Sequence, residues 1–171
     1  MPRTVDWSSE SPFGVEQVLS AFSDEGYWLA RMAAYGAGTD TLDSLIVDPD
    51  GSVTVATTLS VFGDRLPAMV TQVYRGDVKM VRTETWSRAG DGGVRGQIST
   101  VAHGAPLSVL TEALLVPVPE GSMATYTTMV HVRVPVLGAK IEKHIASKVP
   151  EQIAERHRFT VAWISENARP V

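Results

Sequence analysis

Residues 137–166 read LGAKIEKHIASKVPEQIAERHRFTVAWISE, and this stretch decides the fold. On a wheel of about 100° per residue, Leu137, Ile141, Ile145, Val149, Ile153, Phe159 and Trp163 fall within one half of the circumference. Lys140, Lys143, Ser147, Glu151, Glu155 and Arg158 fall opposite. That is a long surface helix with one buried face. Pro150 stands inside it, where it deletes a backbone donor and crowds the preceding turn. The spacing therefore predicts a kink or break near Ala146 to Pro150, the alternative being two helices with the second starting at Pro150.

Upstream, the period changes from helix to strand. Val53, Val55, Thr57, Leu59 and Val61 alternate with small or polar residues, as in a half-buried strand. The turn Asp48-Pro49-Asp50-Gly51 joins them to Leu42 to Val47 as a hairpin. Val78 to Arg88, Val94 to Ala102, Leu107 to Val116 and Ala124 to Val134 read as further strands, with turns at Asp91-Gly92-Gly93 and from Pro117 to Gly121. Pro67 to Tyr74 reads as a short helix or an irregular edge. Short turns between successive strands predict an antiparallel meander.

Ahead of the meander, Thr4 to Ser8 form a candidate first strand. Ser11-Pro12 has the signature of a helix start, with Ser as N-cap and Pro at the first helical position, followed by Val15, Val18, Leu19 and Phe22. Ser23-Asp24 restarts the pattern through Tyr27, Trp28, Arg31, Met32 and Tyr35, and Gly36 and Gly38 end it. The two helices share almost no linker, which predicts a tight corner. Two short helices cannot cover such a sheet, so the long helix must lie across its concave face. A curved sheet gripping one helix leaves space between them.

The 171 residues fit one domain, 1–171, of α+β class. A formal charge of -4 argues against nucleic acid as the main partner. Without cysteine there is no disulfide, thiolate catalysis or Cys-ligated zinc. Neither a signal-like apolar run nor a window of about 18 apolar residues occurs. A cytoplasmic, soluble protein is expected, with contact between one face and a membrane surface left open. Gly36-Ala37-Gly38 lacks the third glycine of a dinucleotide loop, the histidines lack zinc spacing, and no Gly-x-Ser-x-Gly elbow is present. No cofactor, metal or catalytic residue is assigned.

Some positions do carry candidate chemistry. Arg156 falls near the centre of the apolar arc, with Gln152 and Thr160 beside it. A buried arginine needs a partner. Arg156 either meets a ligand carboxylate or carbonyl, or an acid such as Glu84 or Glu112, or else it snorkels to solvent. Met80, Arg82, Glu84 and Trp86 share one strand face, which suits either a cavity wall or a solvated face with ion pairs. Tyr126 and Thr128 pose the same choice. His131, beside Met129 and Arg133, either faces the cavity as an acid or base or stays at the surface. His144 and His157 are read as solvated.

The order of elements resembles the helix-grip fold of the START-like, birch-pollen-allergen-like and polyketide-cyclase (SRPBCC) superfamily. The opening, Ser11-Pro12 with Val15, Leu19 and Phe22, then Ser23-Asp24 and Tyr27-Trp28, is similar to that of these domains. So is the close, Val132-Arg133-Val134-Pro135, then Val136 to Glu142, then a helix ending on Trp163. The chain looks most like an uncharacterised branch common in actinobacteria. The resemblance implies binding or transport of a hydrophobic or lipid-like small molecule between sheet and C-terminal helix. Because a minority of members are cyclases or aromatases, it also leaves open an enzyme moving protons through His131, Arg156 or Glu84. The ligand-facing set expected is Gln152, Arg156, Thr160 and Trp163 on the helix, and Met80, Glu84, Trp86, Tyr126 and His131 on the strands.

Overall fold

The computed structural model describes residues 2–35, 40–61, 68–72 and 76–167. The elements are β1 (Arg3–Ser11), α1 (Val15–Phe22), α2 (Glu25–Tyr35), β2 (Thr41–Val47), β3 (Val53–Val61), α3 (Ala68–Thr71), β4 (Val78–Arg88), β5 (Val94–His103), β6 (Leu107–Val118), β7 (Gly121–Val132) and α4 (Gly138–Asn167). The strands form one seven-stranded sheet in the order β1-β7-β6-β5-β4-β3-β2, antiparallel throughout. Strands β2 to β7 meander as neighbours, and β1 closes the far edge against β7. α4 crosses β1 and β7 and meets α1 and α2. This is the helix-grip architecture.

The start of α1 differs from the expected one. Ser11 ends β1, and its Oγ accepts the Phe13 N–H at 3.1 Å, so Ser11-Pro12 makes the corner rather than the cap. Gly14 is the cap, and the Gln17 side chain reaches back to its N–H at 3.0 Å. The tight corner between α1 and α2 is present. Asp24 Oδ1 accepts the Gly26 N–H at 2.8 Å, and the Trp28 indole donates to the Phe22 carbonyl at 2.7 Å. The stop expected at Gly36 and Gly38 lies outside the described residues. Of the 67–74 segment, residues 68–72 are described, and Ala68–Thr71 forms one helical turn.

α4 runs for 30 residues through Pro150, so neither a break nor a second helix is formed. An interior proline costs a helix about 3 kcal/mol. Burying Val149 and Ile153 beside it returns roughly 1.5–3 kcal/mol each, enough to keep the axis on the sheet. The start of α4 is pinned by Glu142, 1% exposed, whose Oε2 accepts the Val132 N–H at 2.8 Å at the end of β7. In the connecting loop Val136 adopts φ 67°, rare for a β-branched residue. A Cβ on Gly138 would stand 2.6 Å from the Val132 carbonyl oxygen, so only glycine allows this approach.

The interior holds two apolar clusters. One joins α1, α2 and the sheet through Phe22, Tyr27, Trp28, Val55 and Trp86. The other joins α4 to β7 through Val130, Ile141, Val149 and Ile153. Trp86 lies 1% exposed over Gly96, its cross-strand partner, and a Cβ there would overlap the ring. Gly96→Val should therefore destabilise the protein by about 1–3 kcal/mol through overpacking, read from urea unfolding midpoints. An unchanged midpoint would show that Trp86 can move aside.

Candidate functional site

A cavity of about 500 Å³ lies between the inner face of the sheet, α2 and α4. Leu59, Leu107, Val109, Ile145, Val149 and Ile153 contribute its aliphatic walls. One level of it is strongly polar. Glu84, 3% exposed, faces inward from β4. Its Oε2 accepts from Arg31 of α2 at 3.2 Å and from Arg82 Nε at 3.0 Å, and its Oε1 accepts from the Trp86 indole at 3.4 Å. Arg31 also stands over the Trp28 ring at 4.9 Å and donates to the Tyr27 hydroxyl at 3.5 Å. That hydroxyl lies 2.7 Å from Thr160 Oγ1, which donates to the Arg156 carbonyl at 2.9 Å. A polar chain thus links β4, α2 and α4.

Charge governs this level. Burial alone would raise the Glu84 carboxyl, but Arg31, Arg82 and Arg156 overcome it and hold the carboxyl below its ordinary value. Burial is the largest single influence on Arg31 and lowers it, but Glu84, Tyr27 and Tyr126 together outweigh it, so its pKa is raised. Burial lowers Arg82, with Glu84 opposing and Arg31 adding to the fall. Arg156 is held well below the ordinary guanidinium value, first by Arg82, then by burial and Arg31, with Glu84 opposing. Burial, then Tyr27 and Glu84, push the Tyr126 phenol up, so it stays protonated.

Met80, Glu84, Trp86, Tyr126, Gln152, Arg156 and Thr160 all line the cavity. His131 does not. Inward positions on β7 are Ala124, Thr128, Val130 and Val132, while Thr125, Thr127 and Met129 are exposed, and His131 shares their parity. Trp163 does not line it either. One turn beyond the cavity, it packs edge-on to Tyr27 at 5.9 Å, against the apolar cluster. Glu112, proposed as a partner for Arg156, is on the outer face and exposed. His144 and His157, read as solvated, are half-buried and line the cavity, and the His157 ring sits edge-on to Trp7 at 5.4 Å. Arg31 was missed as a site residue, although it stands one turn from Tyr27 on the aromatic face of α2.

A family profile described as a protein of unknown function, DUF2505, matches residues 6–164. The chain belongs to that family. An uncharacterised protein of Mycobacterium tuberculosis is 35% identical over 173 residues, covering 98% of this chain and 99% of the relative. Norcoclaurine synthase from Thalictrum flavum, solved with a transition-state analogue, is similar in fold: TM-score 0.54, 13% identity, 99% of this chain and 98% of the other. A START superfamily protein from Mycobacterium smegmatis gives a TM-score of 0.50 at 12% identity, covering 95% of this chain and 97% of the other. The fold is START-like, as the order of elements implied. No described helix is long and apolar enough to cross a membrane.

Glu84 has a lower pKa folded than unfolded. Its ionised form therefore stabilises the fold above the ordinary carboxylate value of 4.5, and this contribution is lost as pH falls through the folded value. Glu84→Gln should cost about 3–5 kcal/mol at neutral pH, because buried guanidinium groups lose their counter-charge. The deficit relative to wild type should shrink in acid, and urea unfolding at both pH values measures it. A deficit independent of pH would assign Glu84 a packing role only.

Proposed function

We propose that this protein binds an apolar or amphipathic small molecule between the sheet and α4, as a carrier or binding protein. The observation that carries this reading is the cavity itself. Its volume of about 500 Å³ falls within the roughly 300–1,000 Å³ of small-molecule sites. Aliphatic walls with a few convergent polar groups at one level are the usual composition of such sites. The fold shared with a START superfamily protein supports the same reading.

A cyclase-type enzyme using the same space has less support. A general base works best with a pKa near the operating pH. Glu84 has both oxygens engaged and its carboxyl held down by guanidinium neighbours. His131, the sequence-based candidate for proton transfer, is on the opposite face of the sheet.

The carrier reading predicts saturable binding of the neutral probe Nile red, seen as a rise in its fluorescence. Val149→Trp, placed in the cavity wall, should weaken that binding at least tenfold while the fold is retained by circular dichroism. Equal Nile red binding in wild type and variant would place the probe elsewhere and count against the proposal.

A further inference from the structure

Within the proposed ligand cavity, the charges do not balance. Among the described residues, Arg31, Arg82, Arg156 and Lys148 line it, against Glu84 and Asp40. The described lining is therefore net positive in a chain whose formal charge is -4. The imbalance is sharpest at the level of Glu84. Arg31 is committed to Glu84, Tyr27 and the Trp28 ring. Arg82 spends only Nε on Glu84, leaving its terminal nitrogens without a hydrogen bond among the described residues. The Arg156 guanidinium has no hydrogen bond among them, although it is within electrostatic reach of Arg82, Arg31 and Glu84. One carboxylate thus faces three guanidinium groups.

We infer that the ligand is an amphipathic acid, its carboxylate seated against Arg156 and the terminal nitrogens of Arg82, its apolar body lying toward Met80, Leu107 and Ile145. The inference rests on the ligand-binding reading above and names the ligand's class. Arginine does not relieve like-charge repulsion by losing its proton, so relief must come from an anion. A planar guanidinium pairs with a carboxylate in a two-pronged fork. The direction of the body follows from strand register. Arg82 pairs with Thr57 and Thr100, and one step outward Met80 pairs with Leu59 and Ala102. On α4, Arg156 is followed back along the helix by Ile153, Val149 and Ile145. Inward of Arg82, Trp86, Phe22 and Tyr27 close the space. Volume limits size as well. About 500 Å³, at roughly 30 Å³ per water-sized atom, takes on the order of 15–20 non-hydrogen atoms. That suits a single-chain or few-ring acid and not a two-chain phospholipid.

The test compares myristic acid with methyl myristate, each displacing Nile red from wild type and from Arg156→Met. Wild type should bind the acid at least tenfold more tightly than the ester. Arg156→Met should bring the acid to the affinity of the ester and leave the ester unchanged. The same substitution should raise the melting temperature of the purified protein without added ligand, since it removes one of three crowded cations; a structural arginine would lower it. Equal affinity for acid and ester in wild type would overturn this inference and leave the cavity reading standing. An equal loss of both in Arg156→Met would also overturn it, assigning the side chain to packing. No binding of either compound, nor of Nile red, would overturn both readings.

Discussion

The carboxylate of Glu84 sets the geometry of the interior. Taking an ion out of water costs several kcal/mol unless partners replace the solvent. Here the replacement comes from two arginines and an indole, drawn from α2, from the same strand and from Trp86. Because Arg31 lies on α2, the pairing fixes how that helix sits over the sheet. Tyr27 on the same helix then meets Thr160 of α4, so the position of the long helix follows from that of the short one. Aliphatic side chains cannot be packed against this cluster without burying bare charge. The unfilled volume begins where the charged level meets the greasy walls.

The sheet contributes the rest of the space through side-chain size. At mid-height its inner face carries Thr57, Thr100, Thr111 and Thr128, all short. Thr111 and Thr128 satisfy each other at 2.8 Å, so they add polar atoms without demanding a ligand. Toward one end Phe22, Tyr27 and Trp86 fill the gap, and toward the other Val132 and Ile141 do. The helix therefore spans a concavity closed at its ends and held open in the middle, which is why a cavity persists in an otherwise close-packed fold.

Much of this was legible in the chain, for identifiable reasons. Periodicity is a local property, and it located β3 to β7 and the buried face of α4 to within a residue or two at most ends. Arg156 stood out because a cation interrupted an aliphatic arc. His131 was misread because strand parity decides which way a side chain points, and parity depends on register with β6, which pairs it with Ser108. Arg31 was passed over because its aromatic neighbours made α2 look like ordinary core. Only the fold shows that this core contains Glu84. The break considered at Pro150 does not form, with Val149 and Ile153 buried on either side of it, and Ser11-Pro12 was placed one turn too early because a corner and a cap share the same residue types.

Arg156 is the position at which stability and recognition separate. A leucine or methionine there would continue the apolar face of α4 and leave Glu84 with Arg31, Arg82 and Trp86 as partners. The chain instead sets a third guanidinium beside two others, at the point where the helix faces the cavity. Like charges at close range are costly where water screening is poor. Features that work against stability concentrate where a protein acts on something else. An anion at this level would turn mutual repulsion among the arginines into shared attraction, with little rearrangement, because Arg31, Tyr27 and Thr160 already hold the surrounding elements in place. On the proposed reading, the repulsion among the arginines in the protein alone and the affinity for such an anion would have one electrostatic origin.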